Sequence, residues 1–496
     1  MNECISLTAT ELREHLLKGD LTAVELCQAH LERIDESNPT LNSFITVSHD
    51  QALEQAKLAD RILESLGQDS PQLTGIPIAV KDLICTRGIE TTCASKILRG
   101  FVPPYDATTI TKLKQAGAVV VGKTNLDEFA MGGSNEHSAF GAVKNPWDLE
   151  RVPGGSSGGS AAAVCSGQAP LSLGTDTGGS IRQPAGLTGI IGLKPTYGRV
   201  SRYGVAAFAS SLEQVGPFAR SVEDIALIMG ELAGFDPSDA TTMRVAVPNY
   251  SAELSASPRD LKGLRVGVPR QYFIDGMDKE VEQAVRNGLS TLEELGATLV
   301  EISLPHTEHA LSVYYVLAPA EASSNLARYD GVRYGARKEG ETLSQLYART
   351  RGEGFGPEVK RRILIGTYVL SKGYFDAYYL KAQAVRTLII NDFKEAFTNS
   401  CDIIATPVSP NVAWRFGERD ASPVEMYLED AFTLPVNLAG LPGISVPAGL
   451  HSMNLPIGLQ LIAPPFEELR LMVAARNFLS VSSFDFTKMT RRTFSQ

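Results

Sequence analysis

No stretch of this 496-residue chain reaches the ~18 consecutive apolar residues a membrane span needs, so a bilayer-crossing protein is not expected. Basic residues are in deficit. Lysine and arginine number 46 against 56 aspartates and glutamates, a formal net charge of −10, so the chain as a whole lacks the basic face of a strong nucleic-acid binder. Cysteine is sparse. Cys4, Cys27, Cys85, Cys93, Cys165 and Cys401 form no CxxC pair, which argues against a disulfide framework and for free thiols in a reducing, cytoplasmic setting. The seven histidines include no HExxH; His306 and His309 lie three apart in HTEH and read as exposed loop residues, so no metal site is expected. The first residues, MNECISLTATELREHLL, carry neither a basic start nor a long apolar run, and no secretory signal is expected. Internal repeats and long low-complexity linkers are missing as well.

The remaining composition, 43% hydrophobic and 21% charged, is that of an ordinary globular protein. Residues 8–18, 22–36 and 49–66 carry helical periodicity, the first two behind threonine caps, with Asn38-Pro39 and Ser70-Pro71 as breaks. Strand signals fall at 76–80, 119–121, 265–268, 298–302, 401–405, 443–446 and 458–462. Helical patterns fall at 108–115, 222–232, 279–295, 358–370 and 467–479, and residues 237–262 read as loop. Strands interleaved with helices predict an α/β fold with a large mixed β-sheet. The expected organisation is a single interwoven domain over 1–496: a helical N-terminal segment 1–70, a catalytic core 71–235, and the remaining sheet and helices over 236–496.

Glycine is plentiful, and it clusters with serine. GGSSGGS runs from Gly154 to Ser160, and GTDTGGSIR from Gly174 to Arg182. Glycine lets backbone N–H groups turn inward where a side chain would block them, and serine supplies hydroxyls. Two such clusters can bring a nucleophile, a relay hydroxyl and a nest of amide donors into one pocket, the equipment of acyl transfer. Alone, such a cluster reads more readily as a flexible loop than as a site. A base is still needed. Upstream, GIPIAVKDL ends a buried-looking strand at Lys81, where desolvation would lower the amine's pKa. No histidine sits beside the clusters, which favours the lysine over a Ser-His-Asp triad.

One formal motif misleads. Gly117 to Thr124, GAVVVGKT, matches the phosphate-loop pattern, but its middle residues read as the strand itself. A β-branched strand cannot curl its amides around a phosphate, so Lys123 and Thr124 are expected to be structural, at a strand end beside the pocket.

Lys81, GGSSGGS and GTDTGGSIRQPA, in this order and spacing, resemble the amidase signature family, and the likeness runs from about Leu21 to about Leu479. Within the family it is narrowest to the glutamine-hydrolysing subunits of tRNA-dependent amidotransferases. That likeness rests on KTNLDEFAMGGSNEHSAFGAVKNPWD, EVKRRILIGTYVLS and LPVNLAGLPGISVPAG, which begin at Lys123, Glu358 and Leu434. The resemblance implies a mixed sheet with helices on both faces. It implies Ser180 as nucleophile, Ser156 as a bridging serine joined to Gly155 by a cis peptide, and Lys81 as the base acting through Ser156. The amides of Thr177, Gly178, Gly179 and Ser180 are the implied oxyanion hole. Arg362 is implied to hold the α-carboxylate of glutamine and Asp430 its α-amino group. Tyr314, with Tyr315 beside it, is implied to contact the substrate, and Ser134 to line the pocket.

The resemblance also implies partners. Two further subunits, one kinase and transamidase and one small, would use the released ammonia with ATP and Mg²⁺ to amidate Glu-tRNA(Gln), and in some organisms Asp-tRNA(Asn). The tRNA would be held mainly by the partner, and no cofactor is expected in this chain. Other readings stand beside these. Arg362 and Arg361 could form an exposed helix-surface pair with Glu358, and Asp430 could be a helix cap. The whole could be a free-standing amidase for another amide, or a non-catalytic scaffold or nucleotide-binding module. A charged amino-acid clamp would argue against the first, and an intact Lys81, Ser156 and Ser180 set against the second.

Overall fold

Eleven strands form one mixed sheet in the computed structural model, which describes residues 3–419 and 423–494. They are β1 (Phe44–Val47), β2 (Pro77–Lys81), β3 (Val119–Thr124), β4 (Leu171–Asp176), β5 (Ile191–Lys194), β6 (Gln214–Ala219), β7 (Arg265–Pro269), β8 (Thr298–Ile302), β9 (Ile403–Pro407), β10 (Gly443–Leu450) and β11 (Pro456–Ile462). Their order across the sheet is β1-β3-β2-β4-β6-β5-β10-β11-β9-β7-β8. β3, β2 and β4 are mutually parallel, as are β9, β7 and β8, while the strands between the two groups pair antiparallel. One sheet therefore draws on both the 44–219 and the 265–462 regions.

β2, β3, β4, β6, β9 and β11 are buried at every position. Such runs need cover on both faces, because successive side chains point to opposite sides. Helices supply it. Gly158–Cys165 packs on β2 and β4, Val222–Leu232 on β6, Arg182–Thr188 on β5, β10 and β11, and Glu468–Ser480 on β10. No helix among the described residues is long and apolar enough to cross a membrane.

The N-terminal helices start where their caps place them. Thr8 and Thr22 each form a capping box with the glutamate three residues on. Buried Asp224 then takes the Ala9 and Thr10 amides, each at 2.9 Å, and fastens the first helix to Val222–Leu232. Three expectations need correction. Asn38-Pro39 is no break: the helix Ala23–Leu41 runs through Pro39 and ends two residues later at Leu41, capped by Asn42 in the left-handed region. So near the end, the lost N–H costs one hydrogen bond only. The segment 1–70 is not helical throughout, since β1 joins the sheet edge against β3. The stretch 237–262 is not all loop, since Asn249 caps the short helix Tyr250–Ala256.

GAVVVGKT is strand β3, as its β-branched centre dictates. Lys123 is fully buried; its Nζ lies 3.2 Å from Asp82 Oδ1 and donates to Ile84 O and Thr91 Oγ1. It is a structural cation with no part in phosphate binding.

Candidate active site

Lys81 is the last residue of β2, between β3 and β4. The parallel strands β2 and β4 end side by side, and the two glycine-serine clusters emerge there. Residues 154–157 turn into the helix Gly158–Cys165, and residues 177–181 lead from β4 into the helix Arg182–Thr188. In an open α/β sheet this carboxyl edge is where a ligand crevice forms. The structure thus brings Lys81, Ser156 and Ser180 together from three separate segments.

Lys81 Nζ lies within hydrogen-bond distance of three hydroxyls: Ser157 Oγ at 2.7 Å, Ser156 Oγ at 2.8 Å and Thr175 Oγ1 at 3.0 Å. The amine is wholly buried, and burial brings its pKa down from 10.5 to about 7, against the pull of the Asp127, Asp176 and Glu213 carboxylates. A neutral amine has two N–H donors and one lone pair, so one of the three hydroxyls must donate to it. Ser157 donates instead to the Thr175 carbonyl at 3.1 Å, which leaves the protons of Ser156 and Thr175 for the lysine. Ser157 and Thr175 were not anticipated. Both lie inside the glycine-serine clusters, but only the fold brings them to the lysine.

The Gly155–Ser156 peptide is cis. Asp127 braces this turn, accepting the Asn135 and His137 amides at 2.9 and 3.1 Å while its own amide donates to Ser156 O. A Cβ on Gly155 would collide with the Asp127 carboxylate, so that position admits glycine alone. Ser134, in the loop Asp127 holds, is buried, with its backbone amide against Gly155.

The second cluster hangs on Asp176. Its carboxylate accepts the Gly179 amide at 2.8 Å, Arg182 Nη2 at 2.9 Å, Asn437 Nδ2 at 2.9 Å and Arg182 Nε at 3.0 Å. Burial alone would raise its pKa; the Arg182 guanidinium outweighs that and holds it at about 2. Arg182, itself fully buried, also donates to Gln460, Asn437 and the Thr433 carbonyl. Gly179 has φ of +140°, and a side chain there would strike Thr433. Removing the cation would leave Asp176 charged and unpaired in the interior. Arg182→Met is therefore expected to lower unfolding stability by about 3–5 kcal/mol, read by urea denaturation. A loss below ~1 kcal/mol would contradict this account of the turn.

The network changes one expectation. Gly179's single N–H is used by Asp176, so Gly179 shapes the turn and is not an open donor. The amides of Thr177, Gly178 and Ser180 make no hydrogen bond to other described residues and stay available. Ser180 is 8% exposed while Ser156 and Lys81 are at 0%, so solvent reaches the set at Ser180. The Ser180 hydroxyl makes no hydrogen bond among the described residues, Ser156 included.

Charged groups line the other wall. Arg362, on the helix Pro357–Val369, is buried, and Glu358 is buried with it. The exposed ion pair weighed for them is thus corrected: the pair faces inward, because the helix packs this side against Ala310–Asn325. Asp430 is half-buried and makes no side-chain hydrogen bond among the described residues, so it is not a helix cap. Burial pushes its carboxyl well above the usual range, with Arg362 opposing. Its Oδ2 lies 3.5 Å from where a Gly133 Cβ would stand. The Tyr314 hydroxyl packs on Gly178 in the nucleophile turn, while the Arg362 guanidinium lies 5.3 Å from the Tyr315 ring. Both tyrosines face Arg362, and Tyr314 alone also packs on the nucleophile turn.

Comparison with known proteins identifies the family. The Amidase family model matches residues 25–472. The A subunit of the Carboxydothermus hydrogenoformans glutamyl-tRNA(Gln) amidotransferase is 55% identical, covering 97% of this chain and 98% of its own length. Its counterpart from a Roseiflexus species is 58% identical, covering 94% of each. The crystal structure of the Thermotoga maritima counterpart, the A subunit of the same amidotransferase, superposes with a TM-score of 0.78 at 43% identity, over 97% of this chain and 94% of that one. The peptide amidase of Stenotrophomonas maltophilia gives 0.80 at 30% identity, over 95% and 96%. A lysine, two serine turns and an amide nest on this sheet, matched along nearly the whole chain, make it an enzyme of the amidase signature family.

Proposed function

We propose that this chain hydrolyses glutamine to glutamate and ammonia, as the glutaminase component of a tRNA-dependent amidotransferase. Lys81 takes a proton through Ser156, and Ser180 Oγ attacks the side-chain carbonyl carbon. The amides of Thr177, Gly178 and Ser180 stabilise the oxyanion, an effect in which one donor is typically worth about 10²–10³ in rate. The proton returns to the leaving nitrogen, ammonia departs, and water cleaves the Ser180 ester by the reverse relay.

One observation carries the substrate assignment. A guanidinium and a carboxyl, Arg362 and Asp430, stand beside Tyr314 and the nucleophile turn. A guanidinium fork and a carboxylate together match the two charged groups of a free amino acid, which a hydrophobic amide lacks. Partner subunits, one tRNA-binding and one small, would take the ammonia and supply the ATP and Mg²⁺ chemistry in the cytoplasm; this chain needs no cofactor of its own. Arg362→Ala is expected to raise the glutamine KM tenfold or more, about 1.5–3 kcal/mol, while the assembled enzyme still uses free ammonia. An unchanged glutamine KM would return the chain to the free-standing amidases.

A further inference from the structure

Arg362 is gripped from behind. Its Nε donates to Glu358 Oε1 at 2.8 Å, and the same oxygen accepts the Tyr427 hydroxyl at 3.0 Å. Arg361 pairs with the second carboxylate oxygen. The guanidinium carbon lies 5.3 Å from the Tyr315 ring centre, 5.5 Å from that of Phe208 and 5.6 Å from that of Tyr427. Tyr315 and Tyr427 stack on each other, centroids 3.8 Å apart. The box fixes the plane of the fork, and Glu358 fixes its rotation about that plane. With Nε bound to Glu358, the terminal N–H groups are left to face the Tyr314 hydroxyl and a substrate carboxylate.

Tyr427 also leads into the turn that carries Asp430, whose amide donates to the Tyr427 carbonyl at 3.3 Å. Glu358 thus touches both arms of the clamp, Arg362 directly and Asp430 through Tyr427. Nothing in its helix requires this. An i,i+4 pair on the surface is worth little, and burying a carboxylate for so little would be unfavourable.

We infer that Glu358 is a positioning residue for substrate selection: it orients the Arg362 fork and sets its separation from Asp430, so that a free α-amino acid is preferred over an amide without an α-carboxylate. The inference rests on the amino-acid clamp proposed above. Glu358 does not touch the reacting atoms, so its effect falls on recognition and not on the relay at Ser180.

The test uses the chain assembled with its partners and two amides, L-glutamine and 4-aminobutanamide, which is glutamine without its α-carboxylate. The second is followed as a substrate or, where turnover is slow, as a competitive inhibitor. Glu358→Gln is expected to raise the glutamine KM about tenfold with kcat within about twofold. Its loss on 4-aminobutanamide, which lacks the group that Arg362 would hold, should be several-fold smaller. Tyr427→Phe should move glutamine the same way by less, and the double variant should be no worse than Glu358→Gln, as expected for groups in one network. Glu358→Asp should recover part of the loss. Equal losses on both amides, or an unchanged glutamine KM, would overturn the inference; should Glu358→Gln fail to fold, Tyr427→Phe decides by the same comparison. Arg362→Ala run alongside separates the two levels. If it loses glutamine preference while Glu358→Gln does not, only the positioning role fails; if neither loses it, the substrate reading fails too.

Discussion

Ser180→Ala is expected to lower glutamine hydrolysis by a factor on the order of 10⁴ or more, leaving the fold intact. The fold should survive because the Ser180 hydroxyl holds nothing in place; its turn is anchored by Asp176 and Arg182. Removing a hydroxyl that has no hydrogen-bond partner among the described residues orphans none of them, so unfolding stability should change by no more than about 0.5 kcal/mol. With partners present, ammonia-dependent amidation should continue, since the proposed function puts that chemistry on another chain. Glutamine-dependent activity retained in this variant would remove Ser180 from the mechanism.

Lys81→Arg should cost about 10²–10⁴ in kcat/KM, because guanidinium stays protonated and cannot serve as a base. It should also change the pH profile. Burial brings the Lys81 pKa to about 7, so the active, neutral amine is scarce below pH 7 and predominant above it. The native enzyme should therefore show kcat/KM rising with pH through a midpoint near 7 and then levelling. The rising limb should vanish in Lys81→Arg. Full activity in that variant, or an unaltered limb, would exclude lysine as the base.

Lys81 was legible because five apolar residues, Ile76 to Val80, lead straight into it and mark a strand end. The serine clusters were legible because so much glycine has no use in a core. β5 and β6 were not: IGLK and QVGPFA dilute their apolar residues with glycine and proline, and only the sheet on either side makes them strands. The Glu358–Arg362 spacing was visible, but its burial was not, since an i,i+4 pair reads the same whichever way the helix faces. Gly179's amide went to Asp176 through a turn geometry that no spacing records. The Asn437 and Gln460 contacts to Arg182 join segments far apart in sequence and are products of the sheet.

The central claim, a serine nucleophile at position 180 in a pocket shaped for glutamine, is tested most directly by covalent labelling. The probe is a glutamine analogue in which a diazoketone replaces the side-chain amide. The diazo carbon takes up the proton of the serine hydroxyl, the serine oxygen forms a C–O bond to that carbon, and dinitrogen leaves. Peptide mass spectrometry should find the label on Ser180, at one group per chain, blocked by excess glutamine and missing in Ser180→Ala. A label on another residue in the native enzyme, or labelling of Ser180 that glutamine does not block, would contradict the account.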